Sequence, residues 1–192
     1  MKNKILKLSK ILFNLNLRKE ASEISELINE GSPSRVDFSG ILKLSPSNPP
    51  TGKQKDLSDS FKEHKLIPIS AENLHITLLN QAVLKPLAKE LKGRTFPEYK
   101  GTITYGDAFL VNREEKKSIF VVVNEQSEIS SYISKALKEM GITEALKEKG
   151  ITVKPEESRI YHISLANMTG NPHDSVGHSE AQPIILEDCT KI

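Results

Sequence analysis

Leu74-His75-Ile76-Thr77-Leu78 and Tyr161-His162-Ile163-Ser164-Leu165 are two copies of one pattern: an apolar or aromatic residue, His, Ile, a hydroxyl residue, Leu. Side chains on a β-strand alternate between the two faces of a sheet. Read as strands, Leu74, Ile76 and Leu78 turn toward a core, while His75 and Thr77 turn together to the opposite face. The second copy does the same with His162 and Ser164. A face that met only solvent would have no need of an imidazole and a hydroxyl at i and i+2, twice. One such tripeptide is a weak signal and usually structural. Two in matched context govern the reading of the whole chain.

Working outward, each motif closes a similar series of elements. Residues 36–44 read as a strand, 56–64 as a short helix with Leu57 and Phe61 at i, i+4, and 73–79 as the first motif strand. Residues 118–124, 127–140 and 159–166 repeat the order strand, helix, His-bearing strand, with Gly141 as the natural cap of the second helix. The repetition is one of pattern, with little residue identity outside the motifs, and it suggests two similar halves presenting one histidine each to a shared cleft. Between the motifs, 45–52 is a turn-rich loop closed by Lys53 and Lys55. Leu84, Leu87, Ala88 and Leu91 mark a helix ended by Gly93. Residues 101–111 and 118–124 form a hairpin across the charged turn 112–117, and 144–149 is a charged helical patch. The tail beyond Thr169 is rich in Gly, Pro, Asp and Ser, and 183–186 reads as a last edge strand.

At the other end, Ile5, Leu8, Ile11 and Leu12, then Ala21, Ile24, Leu27 and Ile28, have the spacing of two short amphipathic helices. Gly31-Ser-Pro-Ser34 ends them. Such a helical hairpin cannot bury its own stripes. Residues 1–33 therefore read as an appendage that packs on the main body, on a protein partner or on a second copy. Residues 34–192 read as the domain.

Composition narrows the function classes. With 37% hydrophobic and 27% charged residues, the 192-residue chain suits one soluble domain with a real core, aliphatic because Trp is absent. A net charge of +2 excludes a broad basic surface for coating nucleic acid, so a nucleotide would be held by a local site. The one cysteine, Cys189, excludes an internal disulfide and a Cys-based metal cluster. The first thirteen residues thread lysines through their apolar positions, so no signal peptide is expected, and no stretch approaches transmembrane length. A cytoplasmic protein with no membrane partner is the expectation.

The motif residues suit one chemistry. Cleaving a phosphodiester beside a ribose 2′-hydroxyl, or opening a 2′,3′-cyclic phosphate, needs a base and an acid on opposite sides of phosphorus. Histidine serves in either state near neutral pH. The hydroxyls of Thr77 and Ser164 can donate to non-bridging oxygens, where charge accumulates. The candidate catalytic set is thus His75, Thr77, His162 and Ser164, with no cofactor and no metal called for. His64, His173 and His178 read as solvated or capping residues; Asp174 beside His173 is poor evidence for a metal site. Lys53 and Tyr105 are candidate substrate contacts, Lys53 because its loop can fold over a cleft and Tyr105, like Phe109, as a base-stacking ring. Core packing is the commoner role for both rings.

With these motifs in view, residues 35–170 resemble the 2H phosphoesterase superfamily, which includes the bacterial 2′-5′ RNA ligase and cyclic phosphodiesterase proteins. The run Ser118-Ile-Phe-Val-Val-Val-Asn124, followed by a helix and then the second motif, adds to the likeness. Residues 161–170 are also similar to the second motif of the U6 RNA-processing phosphodiesterases and of the phage anti-CBASS phosphodiesterases, which destroy cyclic oligonucleotide signals. The resemblance implies a bilobal, pseudo-symmetric α+β fold, with two antiparallel sheets around a central groove and flanking helices. It implies His75 and His162 as the acid/base pair, and an RNA end or a small cyclic oligonucleotide as substrate. The 1–33 segment lies outside the usual family body. Two further classes stay open: a nucleotide-binding module of the same fold without turnover, and an interaction protein acting through 1–33.

Overall fold

Ile119, Phe120, Val121 and Val123 are all buried, as expected of a continuous β-branched and aromatic run covered on both sheet faces. In the structure, a computed structural model that describes residues 34–113, 115–151, 160–176 and 184–192, this run belongs to β6 (Lys116–Val123). It pairs antiparallel with β5 (Tyr105–Arg113), so the expected hairpin is present. Its strands reach further into the charged segment, with Arg113 opposite Lys116. Long cationic side chains can keep their heads in water while their backbone pairs.

The strand expected over 36–44 is instead a hairpin of β1 (Arg35–Phe38) and β2 (Leu42–Ser45). Gly40, at φ +86°, takes the left-handed conformation the turn requires. Val36, Phe38, Leu42 and Leu44 all have even numbers, so the period-2 pattern runs through the turn without a break. Next come α1 (Thr51–Asp56) and α2 (Ser58–Glu63), two short helices starting earlier than the single one expected. β3 (Ile67–Pro68) precedes β4 (Ile76–Leu79). The helix expected around Leu84–Leu91 is divided into α3 (Gln81–Leu84), a 3₁₀ turn (Lys85–Leu87) and α4 (Ala88–Leu91). Pro86 divides it, because it lacks the N–H a continuous helix needs. α5 (Gln126–Glu139) and α6 (Ile142–Glu148) meet at Gly141, φ +70°. β7 (His162–Asn167) carries the second motif, and β8 (Thr190–Lys191) is the last strand.

β8 is not the edge strand expected over 183–186. Pro183 lies outside the described residues, and Ile184 and Leu186 pack with Val111, Phe120 and Val176 rather than pairing. Thr190 and Lys191 pair with β5 instead. Residues 1–33, the expected appendage, and Arg159 also lie outside the described residues.

The class is α+β. The strands, expected in two sheets, form one antiparallel eight-stranded sheet in the order β1-β2-β4-β7-β6-β5-β8, with β3 also on β7. The order from β1 to β5 reads the same from either end: hairpin, motif strand, motif strand, hairpin. The two halves meet at β4 and β7, whose ladder is one residue pair long, Ile76 opposite Ile163. Both isoleucines are 0% exposed, and that burial joins the halves into one sheet.

One face of this sheet is covered by helices. Phe61, Leu84, Leu87, Leu91, Ile129, Ile133, Leu137, Ile142 and Leu146 bury against Leu44, Ile76, Leu78, Ile119, Val121, Ile163 and Leu165. Two glutamines brace β7, one just before it and one within it. Gln126 of α5 donates to the carbonyls of Val123 and Tyr161 and accepts from Tyr161 N–H at 2.7 Å. Gln54 of α1 donates to the carbonyls of Ile69 and Leu165, in the fork between β3 and β4. Truncating the seam residue Ile163 to Ala should cost about 2–5 kcal/mol, the range for a buried large-to-small change. Urea unfolding measures it, with exposed Lys135→Ala within about 0.5 kcal/mol of the parent as control.

Candidate functional site

The alternation expected of the two motifs is present. Leu74, Ile76 and Leu78 are buried and His75 and Thr77 half-buried; Tyr161, Ile163 and Leu165 are buried and His162 and Ser164 half-buried. Because Ile76 stands opposite Ile163 in an antiparallel pair, His75 falls across from Ser164 and Thr77 across from His162. All four side chains share the sheet face away from the helices. Each histidine stands diagonally across the seam from the other, a relation that separates Cα atoms by about 7–8 Å.

The two rings are held alike. His75 Nδ1 lies 2.7 Å from the carbonyl of Asn73, and His162 Nδ1 lies 2.9 Å from the carbonyl of Ile160, in each case two residues earlier. A carbonyl only accepts, so Nδ1 carries the hydrogen and Nε2 is the nitrogen that gains and loses a proton. His162 also packs against buried Phe120, ring centroids 4.9 Å apart. Phe120 lies opposite Ser164, Val122 opposite His162, and Phe109 stacks on Phe120 at 5.8 Å. An apolar wall, extended by Val176 and Ile184 from the tail, therefore bounds the site on the β6 side.

The opposite wall is charged. Lys43 of β2 stands opposite Thr77, and Asp37 of β1 opposite Lys43. The His75 proton affinity is pushed below that of an ordinary histidine, first by burial, then by the positive fields of Lys43 and His173. The Asn73 carbonyl and Asp37 oppose that shift. His173, read from the sequence as a bystander, is thus a neighbour of the first motif. Asn167, 0% exposed, shapes its loop. Its Oδ1 accepts from the N–H of Thr169 and Gly170, and its Nδ2 donates to Asn171 O and Ser175 Oγ. Gly170, at φ +75°, passes so close to Ile67 that a Cβ would lie 2.8 Å from its Cγ2. Only glycine fits there.

Lys53 and Tyr105 do not join this group. The Tyr105 ring packs against the helix-covered core, its hydroxyl donates to Asn48 O at 2.8 Å, and burial pushes its phenol upward. A β-bulge between Tyr105 and Ala108 shifts the alternation and takes the ring off the face that holds Phe109. Lys53, on α1, donates to Gly106 O at 3.2 Å. Both residues fasten the 45–52 segment to β5. His64 caps the carboxyl end of α2, and His178 lies outside the described residues.

Beyond the carboxyl end of β7 lies an open cleft of about 650 Å³, lined among the described residues by Glu115, Lys116, Met168, Thr169 and Asp174. Neither motif histidine is among these lining residues. Among the described residues no group of three or more His, Cys, Asp or Glu side chains is arranged to hold a metal ion.

Sequence reasoning missed Lys43 and Asp37 and gave His173 only a bystander's part. Their parity or loop position is visible in the chain, but their nearness to His75 arises from pairings β1–β2–β4 and from the Asn167 loop.

The direction of the His75 shift makes a pH prediction. Between the ordinary histidine value of about 6.5 and the lower native value, the unfolded chain binds a proton that the folded ring refuses. Stability from neutral His75 is complete above that window and is lost as pH falls through it. Urea midpoints measured from roughly pH 8 to pH 5 should therefore fall less steeply in His75→Gln than in the parent; identical profiles would contradict the assignment. Comparison with family models, with curated proteins and with solved structures finds no match to the chain.

Proposed function

We propose that the protein is a metal-independent phosphodiesterase of the 2H type, acting on a phosphodiester adjacent to a ribose 2′-hydroxyl through His75 and His162. The observation that carries this reading is the Ile76–Ile163 pairing, which sets two His-x-hydroxyl motifs side by side on one sheet face. The one-pair seam and the palindromic strand order support a two-lobed arrangement around that site.

In the hydrolytic direction a water molecule attacks the phosphorus of a 2′,3′-cyclic phosphate. Neutral Nε2 of one histidine takes the proton of the water. The protonated Nε2 of the other gives its proton to the departing ribose oxygen, leaving a phosphomonoester and a free hydroxyl. In the transesterification direction the 2′-hydroxyl is the nucleophile and the 5′-oxygen of the next nucleotide leaves. A lowered proton affinity keeps His75 neutral at neutral pH, which suits it to the base's part in the hydrolytic direction; the two rings exchange parts in the transesterification direction. Thr77 and Ser164 donate hydrogen bonds to the non-bridging oxygens as charge grows.

An RNA end with a 2′,3′-cyclic phosphate, a 2′-5′-linked oligonucleotide and a cyclic di- or trinucleotide present the same reacting atoms. A panel of these, incubated in EDTA, should include a substrate that turns over with a bell-shaped pH profile. His75→Ala and His162→Ala should each lose about 10²–10⁴-fold in kcat/KM. Binding of a panel member without turnover would favour the non-catalytic nucleotide module, and full activity in both variants would refute the assignment.

A further inference from the structure

Lys43 occupies an unusual position for a strand lysine. It is half-buried, lies between buried Leu42 and Leu44, and shares the face of the two motifs. Its register partner is Thr77, so a row crosses the seam: Asp37, Lys43, Thr77, His162 and Val122. Adjacent strands lie about 4.7–4.9 Å apart, well within the reach of a four-carbon stem. Among the described residues Lys43 takes part in no salt bridge. Asp37, its partner across the hairpin, has its carboxylate 3.5 Å from Arg35 Nε. Asp37 is thus shared between Arg35 and the row, and an anionic ligand beside Thr77 would meet the Lys43 ammonium from the opposite side.

We infer that Lys43 is a substrate-binding residue of this site, whose ammonium holds the non-bridging oxygens of an anionic phosphate beside Thr77. The inference rests on the reading of the motifs as a phosphodiester site and adds a group that neither motif contains. A phosphodiester carries one negative charge in the ground state and two in the pentacoordinate transition state. A fixed cation at that position therefore binds the second more tightly than the first, which raises kcat. Lys43 also acts on His75 through space. Among the described residues, the charged and titratable groups facing His75 include Lys43 from β2, Asp37 from β1, His162 from β7 and His173 from the following loop. Removing the Lys43 charge lets His75 keep its proton to higher pH.

The test compares Lys43→Gln and Lys43→Arg in the full chain, with two readouts. The first needs no turnover: inorganic phosphate is titrated into each protein and the His75 and His162 ring signals are followed by NMR. Lys43→Gln should weaken phosphate about tenfold or more and raise the pH at which His75 titrates, and Lys43→Arg should restore both. The second is the rate on whichever panel substrate is cleaved. Lys43→Gln should lower kcat/KM about 10²-fold, mostly in kcat, and move the acid limb of the pH profile upward, with Lys43→Arg within about tenfold of the parent. A folded Lys43→Gln protein with parental phosphate affinity, rate and His75 titration overturns the inference. So does a Lys43→Arg protein as impaired as Lys43→Gln, since a side chain needed for packing alone would behave that way. Loss of activity in His75→Ala and His162→Ala with full activity in Lys43→Gln removes Lys43 and leaves the two-histidine reading intact. Full activity in the histidine variants removes that reading and the inference together.

Discussion

One antiparallel pair, Ile76 opposite Ile163, determines what the rest of the molecule can do. Strand side chains alternate with a period of two, so a single register pair assigns a face to every neighbour on both strands. Here it turns His75, Thr77, His162 and Ser164 outward together and turns Leu74, Ile76, Leu78, Tyr161, Ile163 and Leu165 into the core. A slip of one residue on either strand would bury an imidazole among leucines and expose an isoleucine. The desolvation cost of that exchange holds the register even though the ladder is so short.

The surroundings reinforce the same pair from several directions. Gln126 bonds the Tyr161 backbone just before β7 and Gln54 adds a second donor to Leu165 O within it, so both side chains brace the strand. Tail residues Val176 and Ile184 cover Phe120 and so close the β6 half of the outer face, leaving the polar half at the seam. Buried Asn167 folds the next loop back toward His75. The consequence is a strip with an apolar wall on one side, a charged wall on the other and two similarly held imidazoles between them.

Much of this was legible in the chain because it is local. Two five-residue motifs carried their own alternation, and the α+β class, the 5–6 hairpin and the helix near 127–140 follow from periodicity. The rest depends on distant pairings. The turn at Gly40 was hidden because even-numbered apolar residues continue through it. Tyr105 and Phe109 have the same parity in the chain, and it is the bulge in β5 that parts them and puts the Tyr105 ring with the helix-covered core. Two sheets were expected from two similar halves, yet the halves are joined by a contact between residues 87 positions apart, which no local pattern encodes. Lys43 escaped notice, and His173 read as a bystander, for the same reason: each is ordinary in sequence and acquires its place only when β2 lies against β4 and the Asn167 loop folds back.

The most direct measurement is a set of nuclear Overhauser contacts across the seam in isotope-labelled protein. The account predicts cross-peaks between the backbone protons of β4 and β7 centred on Ile76 and Ile163, and contacts from the His75 ring to Ser164 and from the His162 ring to Thr77. A pattern with His75 or His162 opposite an isoleucine, or with no contact between the two strands, would contradict it.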